Sequence, residues 1–259
     1  MQTLISKDGT KIAYDVTGSG PALILVGGAF SYRRFPGFVK LAGLLAPDFT
    51  VVNYDRRGRG DSGDSPVYDV EREVEDLQAV IEAVGGSAFV WGMSSGAALA
   101  LEAAAAGLPI GKLALYEPPY VAGKQAAELP KDYEGQLRKL VEEGRRDDAV
   151  KLFMRNMGAP GFALAIMRLM PFWSRLRASA HTLPYDVRVM GDFAVPSGRL
   201  ASVSVPTLVI GGQKSAEALR LAVSEIADLL PRGEHRFLEG QNHNVSMKVL
   251  ATVLQSYFS

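Results

Sequence analysis

Cysteine is absent, and only three of 259 residues are histidine. Without cysteine there can be no disulfide, no thiolate nucleophile and no thiolate-bound metal centre. Three histidines argue against a histidine-rich metal site and restrict any imidazole chemistry to His181, His235 and His243. Excess charge is missing too. With 28 Lys+Arg against 28 Asp+Glu, there is no electrostatic case for a nucleic-acid or anionic-membrane partner. No apolar run approaches the ~18 residues that a bilayer span requires. The first residues, Met1-Gln2-Thr3-Leu4-Ile5, lack the basic start and apolar stretch of a signal peptide, so the expected location is cytoplasmic. What remains is ordinary for a globular chain: 47% hydrophobic and 22% charged, with a length suited to one large α/β domain or a domain carrying an insertion.

The sequence shows no internal repeat and no low-complexity tract. Thr3–Ser6 and Lys11–Thr17 flank Asp8-Gly9, a turn dipeptide that predicts a hairpin. Five further short apolar or β-type runs follow: Ala22–Val26, Phe49–Tyr54, Ala88–Trp91, Leu113–Tyr116 and Thr207–Ile210. Such continuous runs suit strands buried on both faces, as in a parallel sheet. Between them lie helical patterns, of which Asp69–Val84 is the clearest: Val70, Val74, Leu77, Val80, Ile81 and Val84 share one stripe behind a capping Asp69. An Ala-rich helix at 97–106, a helix near 216–230, a short strand His235–Leu238 and a last helix from about Val245 complete the alternation. Strands alternating with helices imply a mostly parallel sheet covered on both faces.

From about 120 to 195 the alternation gives way to helical patterns, including Tyr133–Glu143 and Asp147–Met157. This stretch is rich in Met and aromatic residues, such as Phe153, Met157, Met170 and Trp173. Residues 1–119 and 196–259 are therefore read as a core domain, with 120–195 as a helical cap. The cap either packs its own core or lines an apolar pocket, and the two are compatible. With Phe30 and Met93 from the core, those four residues are the candidate pocket lining.

Gly92-Met93-Ser94-Ser95-Gly96 matches G-x-S-x-G between a β-type run and an Ala-rich helix, the strand–turn–helix setting in which the motif acts. The sharp turn demands small neighbours and places Ser94 at the head of a helix, with the Ser95 backbone N–H aimed where an oxyanion would form. On these residues the chain resembles the α/β-hydrolase superfamily, essentially over its whole length. Asp55-Arg56-Arg57-Gly58-Arg59-Gly60-Asp61-Ser62 resembles the D-x-R-G-x-G-x-S loop of that family, and Val26-Gly27-Gly28-Ala29-Phe30 stands where the family usually has H-G-x. Gly27 replaces the usual histidine. The resemblance implies an α/β-hydrolase fold with a cap. It also implies a second oxyanion donor at the Ala29 N–H, or at Gly28 if the alignment slips by one.

A serine hydroxyl needs an imidazole to accept its proton. His243 follows the last short strand and precedes the final helix, where the family places its base; His181 and His235 are the alternatives. The family usually carries its acid a few residues after the strand Thr207–Ile210, but there Gly211-Gly212-Gln213-Lys214-Ser215 presents a lysine, and Glu217 falls within the next helix. A second position exists at the end of Leu113–Tyr116, where certain haloalkane dehalogenases, members of the superfamily, carry theirs. It holds Glu117, followed by the stiff pair Pro118-Pro119. Glu117 is the expected acid. The alternatives are Asp192 in that role, or Glu117 merely pairing with an arginine.

Serine in place of the aspartate nucleophile of related enzymes disfavours halide and epoxide chemistry and favours acyl transfer. The expected function is hydrolysis of esters, lactones or thioesters of small to medium apolar compounds, with no cofactor or metal. The expected partners are a small ester-type substrate and water, without nucleic acid or membrane, in a monomer or small homo-oligomer. A cofactor-free C–C hydrolase or lyase on the same residues is a second reading; an inactive ligand-binding relative is a third.

Overall fold

In the computed structural model, which describes residues 1–122 and 132–259, eight strands form one sheet. They are β1 (Gln2–Ile5), β2 (Lys11–Thr17), β3 (Ala22–Val26), β4 (Thr50–Tyr54), β5 (Ala88–Met93), β6 (Ile110–Tyr116), β7 (Thr207–Gly212) and β8 (Gly233–Leu238). Their spatial order is β1-β2-β4-β3-β5-β6-β7-β8. The hairpin β1–β2 and the β2–β4 pair are antiparallel, and every other pairing is parallel.

The central strands are apolar throughout because each faces a core on both sides. Alternate residues point to opposite faces. Ile24, Val26, Leu113, Leu115 and Val209 enter one cluster, while Leu23, Leu25, Ala114, Tyr116, Leu208 and Ile210 enter the other. Helices α1 (Pro36–Leu45) and α11 (Met247–Phe258) cover the second cluster; α2 (Val70–Ala83), α3 (Ser95–Ala105) and α10 (Glu217–Leu229) cover the first. The expected cap at Asp69 is present, its carboxylate accepting the Val70 N–H at 2.6 Å. Helix α1 is an element that the strand-by-strand reading passed over. Proline opens it, and Phe38, Leu41, Ala42 and Leu45 bury a stripe at helical spacing.

Between β6 and β7 lie α4 (Tyr133–Glu142), α5 (Arg146–Asn156), α6 (Gly161–Met167), α7 (Trp173–Ala178) and α8 (Leu183–Met190), and α9 (Ser197–Leu200) leads back to the sheet. Residues 123–131 of the expected 120–195 cap lie outside the described residues. The two ends of the insertion meet: Val121 pairs with Ala194 in parallel, and the Val121 N–H donates to the Phe193 carbonyl at 2.8 Å. Among the described residues, no helix is long and apolar enough to cross a membrane.

Candidate active site

Strand β5 ends in the G-x-S-x-G turn and α3 begins at once, with Ser94 at its N-cap. Ser94 has φ 54° and ψ −129°, a conformation that L-residues rarely hold. The turn closes this tightly because its flanks carry no side chains. A Cβ on Gly92 would lie 2.5 Å from the Gly96 carbonyl oxygen, and one on Gly96 would lie 2.3 Å from that of Val26. Five non-glycine residues have positive φ among the described residues, and three of them, Phe30, Ser94 and Glu117, line one cavity. Each such residue costs roughly 1–3 kcal/mol, so backbone strain is concentrated around this site.

Strand β6 delivers Glu117 to the same end of the sheet as Ser94, one strand away. Its carboxylate is 1% exposed and fully committed. Oε2 lies 2.8 Å from His243 Nδ1, and Oε1 accepts the Gly212 N–H at 2.8 Å and the Ser215 hydroxyl. Burial by itself would raise the Glu117 carboxyl, but the hydrogen bonds from His243, Ser215 and Gly212 hold it below the usual range. The turn after β7, where a carboxylate was the family norm, thus supplies donors to a carboxylate from β6. Lys214 in that turn points to solvent, and its backbone N–H donates to the Gln241 carbonyl at 2.8 Å. Tyr116 also steadies the histidine loop, its hydroxyl donating to the Asn242 carbonyl at 2.6 Å.

His243 is half exposed and lines the cavity with Ser94. The two are not hydrogen-bonded to one another here, and such contacts often tighten only when substrate is bound. The other histidines and acids lie elsewhere. His181 Nδ1 sits 3.0 Å from the Ala178 carbonyl, and its Nε2 lies 3.8 Å from Asp64. His235 is exposed on β8, against Phe237. Asp192 is exposed and accepts the Ala194 N–H, and Glu217 is exposed at the start of α10.

Gly28 and Ala29 line the cavity, and a side chain on Gly28 would meet the Ser94 Cβ at 3.0 Å. Ser95 is completely buried behind Ser94. Beneath both loops lies a cluster of buried charge from the Asp55–Ser62 segment. Arg57 forms a two-bond pair with Asp76 at 2.8 Å, and Arg56 does so with Glu73 at 2.6 Å. Arg59 pairs with Asp186 of α8 at 2.7 Å, and Asp186 also accepts from Arg56 and the Ser95 hydroxyl. Burial would raise the Asp186 carboxyl, but the Arg59 and Arg56 charges beside it keep it below its usual range. Nothing in the sequence around Tyr185-Asp186-Val187 marked this carboxylate as buried.

The cavity holds about 770 Å³ and is chiefly apolar. Phe30, Met93, Phe153 and Met157 line it as expected residues, joined by Phe35, Phe38 and Leu176, which the sequence did not single out. Phe30 and Phe153 meet edge to face at 5.5 Å across the junction of core and insertion. Met170 and Trp173 are corrections, because neither lines this cavity. Met170 lies in the tight turn between α6 and α7, where its carbonyl accepts the Trp173 N–H at 3.0 Å and its side chain points outward. Trp173 turns into the buried cluster beside α5, its indole N–H donating to Asp147 at 2.5 Å.

A family model described as the alpha/beta hydrolase family matches residues 23–249. A solved alpha/beta hydrolase from Sphaerobacter thermophilus is 52% identical over 100% of both chains, with a TM-score of 0.94. The uncharacterized hydrolase YraK of Bacillus subtilis is 37% identical over 99 residues, covering 36% of this chain and 35% of that protein, so the match spans about a third of that relative's length. An esterase from Exiguobacterium antarcticum is 18% identical, with a TM-score of 0.74 over 99% of this chain and 98% of that one, a likeness of fold alone.

Proposed function

The chain belongs to the alpha/beta hydrolase family, and on that premise we propose that it cleaves carboxylic esters, lactones or thioesters of small to medium apolar compounds through an acyl-enzyme. The observation that carries this reading is the 2.8 Å contact of Glu117 Oε2 with His243 Nδ1, beside the cavity those residues share with Ser94. With Nδ1–H held on Glu117, the tautomer leaves Nε2 free to accept a proton.

In the proposed cycle the Ser94 hydroxyl attacks the substrate carbonyl while its proton passes to His243 Nε2. The carbonyl oxygen becomes an oxyanion facing the backbone N–H groups of Ser95 and Ala29, with Gly28 as the alternative second donor. His243 returns the proton to the departing alcohol or thiol as the tetrahedral adduct collapses, leaving an ester on Ser94. Water repeats the sequence and releases the acid. Glu117 stays ionised throughout and stabilises the imidazolium formed in each half. The apolar lining of Phe30, Met93, Phe153 and Met157 supports an uncharged acyl or alcohol part.

The ester preference rests on the chemistry of these groups and not on likeness of fold. It is tested by turnover of p-nitrophenyl acetate and butyrate by wild type and Ser94→Ala. Ester turnover that disappears in the variant is expected. Turnover surviving the substitution refutes the reading, and cleavage of a β-diketone without ester turnover replaces it with C–C bond hydrolysis.

A further inference from the structure

Asp186 stands on α8, in the insertion, with no exposed surface. Its Oδ1 accepts from Ser95 Oγ at 2.7 Å, from Arg56 Nη1 at 2.9 Å and from Arg59 Nη2 at 2.7 Å; Oδ2 accepts from Arg59 Nη2 at 2.7 Å. Both arginines reach onward to the loop that faces Ser94. Arg59 Nη1 donates to the Gly28 carbonyl at 2.7 Å, and Arg56 Nη1 donates to the Gly27 carbonyl at 3.3 Å. Ser31 donates to the Gly28 carbonyl as well, from its hydroxyl at 2.5 Å and its N–H at 3.2 Å.

A trans peptide is planar, and its C=O and N–H point in opposite directions. Holding the Gly28 carbonyl on Arg59 therefore turns the Ala29 N–H away from the charge cluster, toward the side on which Gly28 and Ala29 line the cavity with Ser94. Holding the Gly27 carbonyl does the same for the Gly28 N–H. The other donor loop is tied to the same carboxylate through the Ser95 side chain. One buried group is thus linked to both stretches of backbone that must face a developing oxyanion, with Ser31 as a second hold on the Gly28 carbonyl alone.

We propose that Asp186 is a positioning residue by which the insertion holds the two arms of the oxyanion hole in register. The proposal rests on the reading of Ser94 as the nucleophile. Plain docking of α8 does not require this arrangement. A buried carboxylate is costly unless well partnered, and an apolar residue would anchor the helix as firmly. The partners of Asp186 are instead the residue after Ser94 and the two side chains that grip the Gly27 and Gly28 carbonyls. Because Asp186 lies in the insertion, displacing α8 would loosen the oxyanion site without touching Ser94, Glu117 or His243.

The test follows two reactions in wild type, Asp186→Asn and Ser95→Ala. One is phosphonylation by a fluorophosphonate, in which Ser94 Oγ forms an O–P bond, fluoride leaves and the hydroxyl proton passes to His243. The other is steady-state hydrolysis of p-nitrophenyl butyrate. Both load negative charge onto an oxygen held by the two N–H groups. Asp186→Asn is expected to lower the labelling rate constant and kcat by on the order of 30- to 100-fold with KM within ~3-fold, since losing or misplacing an oxyanion donor costs ~10²-fold or more. Ser95→Ala keeps the backbone N–H and adds no buried charge imbalance; it is expected to lower both rates by roughly 5- to 10-fold.

If Asp186→Asn does not fold, Ser95→Ala decides alone. A folded variant set that labels within ~3-fold of wild type, or loses only thermal stability or KM, overturns the proposal. If wild type labels at Ser94 but turns over no ester, the ester reading falls while the ratio of labelling rates still judges Asp186. Failure of wild type to label at Ser94 refutes both.

Discussion

Replacing Glu117 by glutamine removes one negative charge and almost no volume, so its effect reports the loss of the charge and of one acceptor oxygen without a cavity. With Oε2 at 2.8 Å from His243 Nδ1, the charge centres of carboxylate and imidazolium are ~4 Å apart. At an effective dielectric of ~20, their attraction is about 4 kcal/mol, or roughly three powers of ten in the rate of a step that charges the ring. The amide adds a second penalty. Oε1 now accepts from the Gly212 N–H, which cannot reverse its polarity, although the Ser215 hydroxyl can. A glutamine must therefore turn its NH₂ either toward Gly212 or toward the imidazole, and the first leaves a buried donor unmet at about 1–3 kcal/mol. The second forces the wrong histidine tautomer. The expected fall in kcat is on the order of 10³- to 10⁴-fold, with little change in KM, in initial rates with p-nitrophenyl butyrate. Asp192→Asn and Lys214→Ala serve as parallel controls expected to remain active. A Glu117→Gln enzyme within ten-fold of wild type would show that the carboxylate has no part in the proton transfer.

Acid stability provides a second reading of the same residue. The folded Glu117 carboxyl titrates below its unfolded value, so its contribution is complete above the unfolded value of about 4.3 and is lost as pH falls through the lower folded one. The stability gap between wild type and Glu117→Gln, from urea midpoints, should be widest above pH ~5 and close in acid; a gap that widens on acidification would contradict the sign. Gly96→Ala should fold poorly or lose the elbow, because its Cβ would sit 2.3 Å from the Val26 carbonyl oxygen; near-native melting and activity would count against the close packing inferred there. Phe153→Ala removes a side chain 4% exposed between the Phe30 ring and the insertion. It should destabilise by about 3 kcal/mol and shift preference toward longer p-nitrophenyl esters, as read from melting curves and a chain-length series.

Much of the fold was legible because hydrophobic pattern and turn chemistry act locally. The continuous apolar runs at Ala22–Val26 and Thr207–Ile210, each ended by a glycine pair, suit strands buried on both faces, and both are such strands. Helix ends moved by a residue or two, as in α5 (Arg146–Asn156) and in α11, which starts at Met247 and not Val245. End residues contribute little burial to bias the pattern. Pocket residues were less legible. Periodicity identifies which side of a helix is apolar but not which neighbour covers it, and so Trp173 packed into the buried cluster beside α5 while Leu176, three residues on, reached the cavity.

The sequence alone pointed to the tight turn, with Ser94 between Gly92 and Gly96 at a strand–helix junction, and the structure places it there. It also narrowed the candidate base to a histidine before the last helix, and it revealed the lysine at 214 that displaced the expected acid. Tertiary structure decided what distance in the chain conceals. Glu117 and His243 are 126 residues apart, and only the lateral order β6-β7-β8 brings the loop after β8, with its ring, to 2.8 Å from the carboxylate and sets Gly212 and Ser215 from the end of β7 between them. Asp186, 91 residues from Ser95, carries no mark in the sequence, and only folding buries it against two arginines. Both cases have one physical cause. The strength of a charge depends on its solvent and its neighbours, and these are assigned when the chain packs, not when it is written.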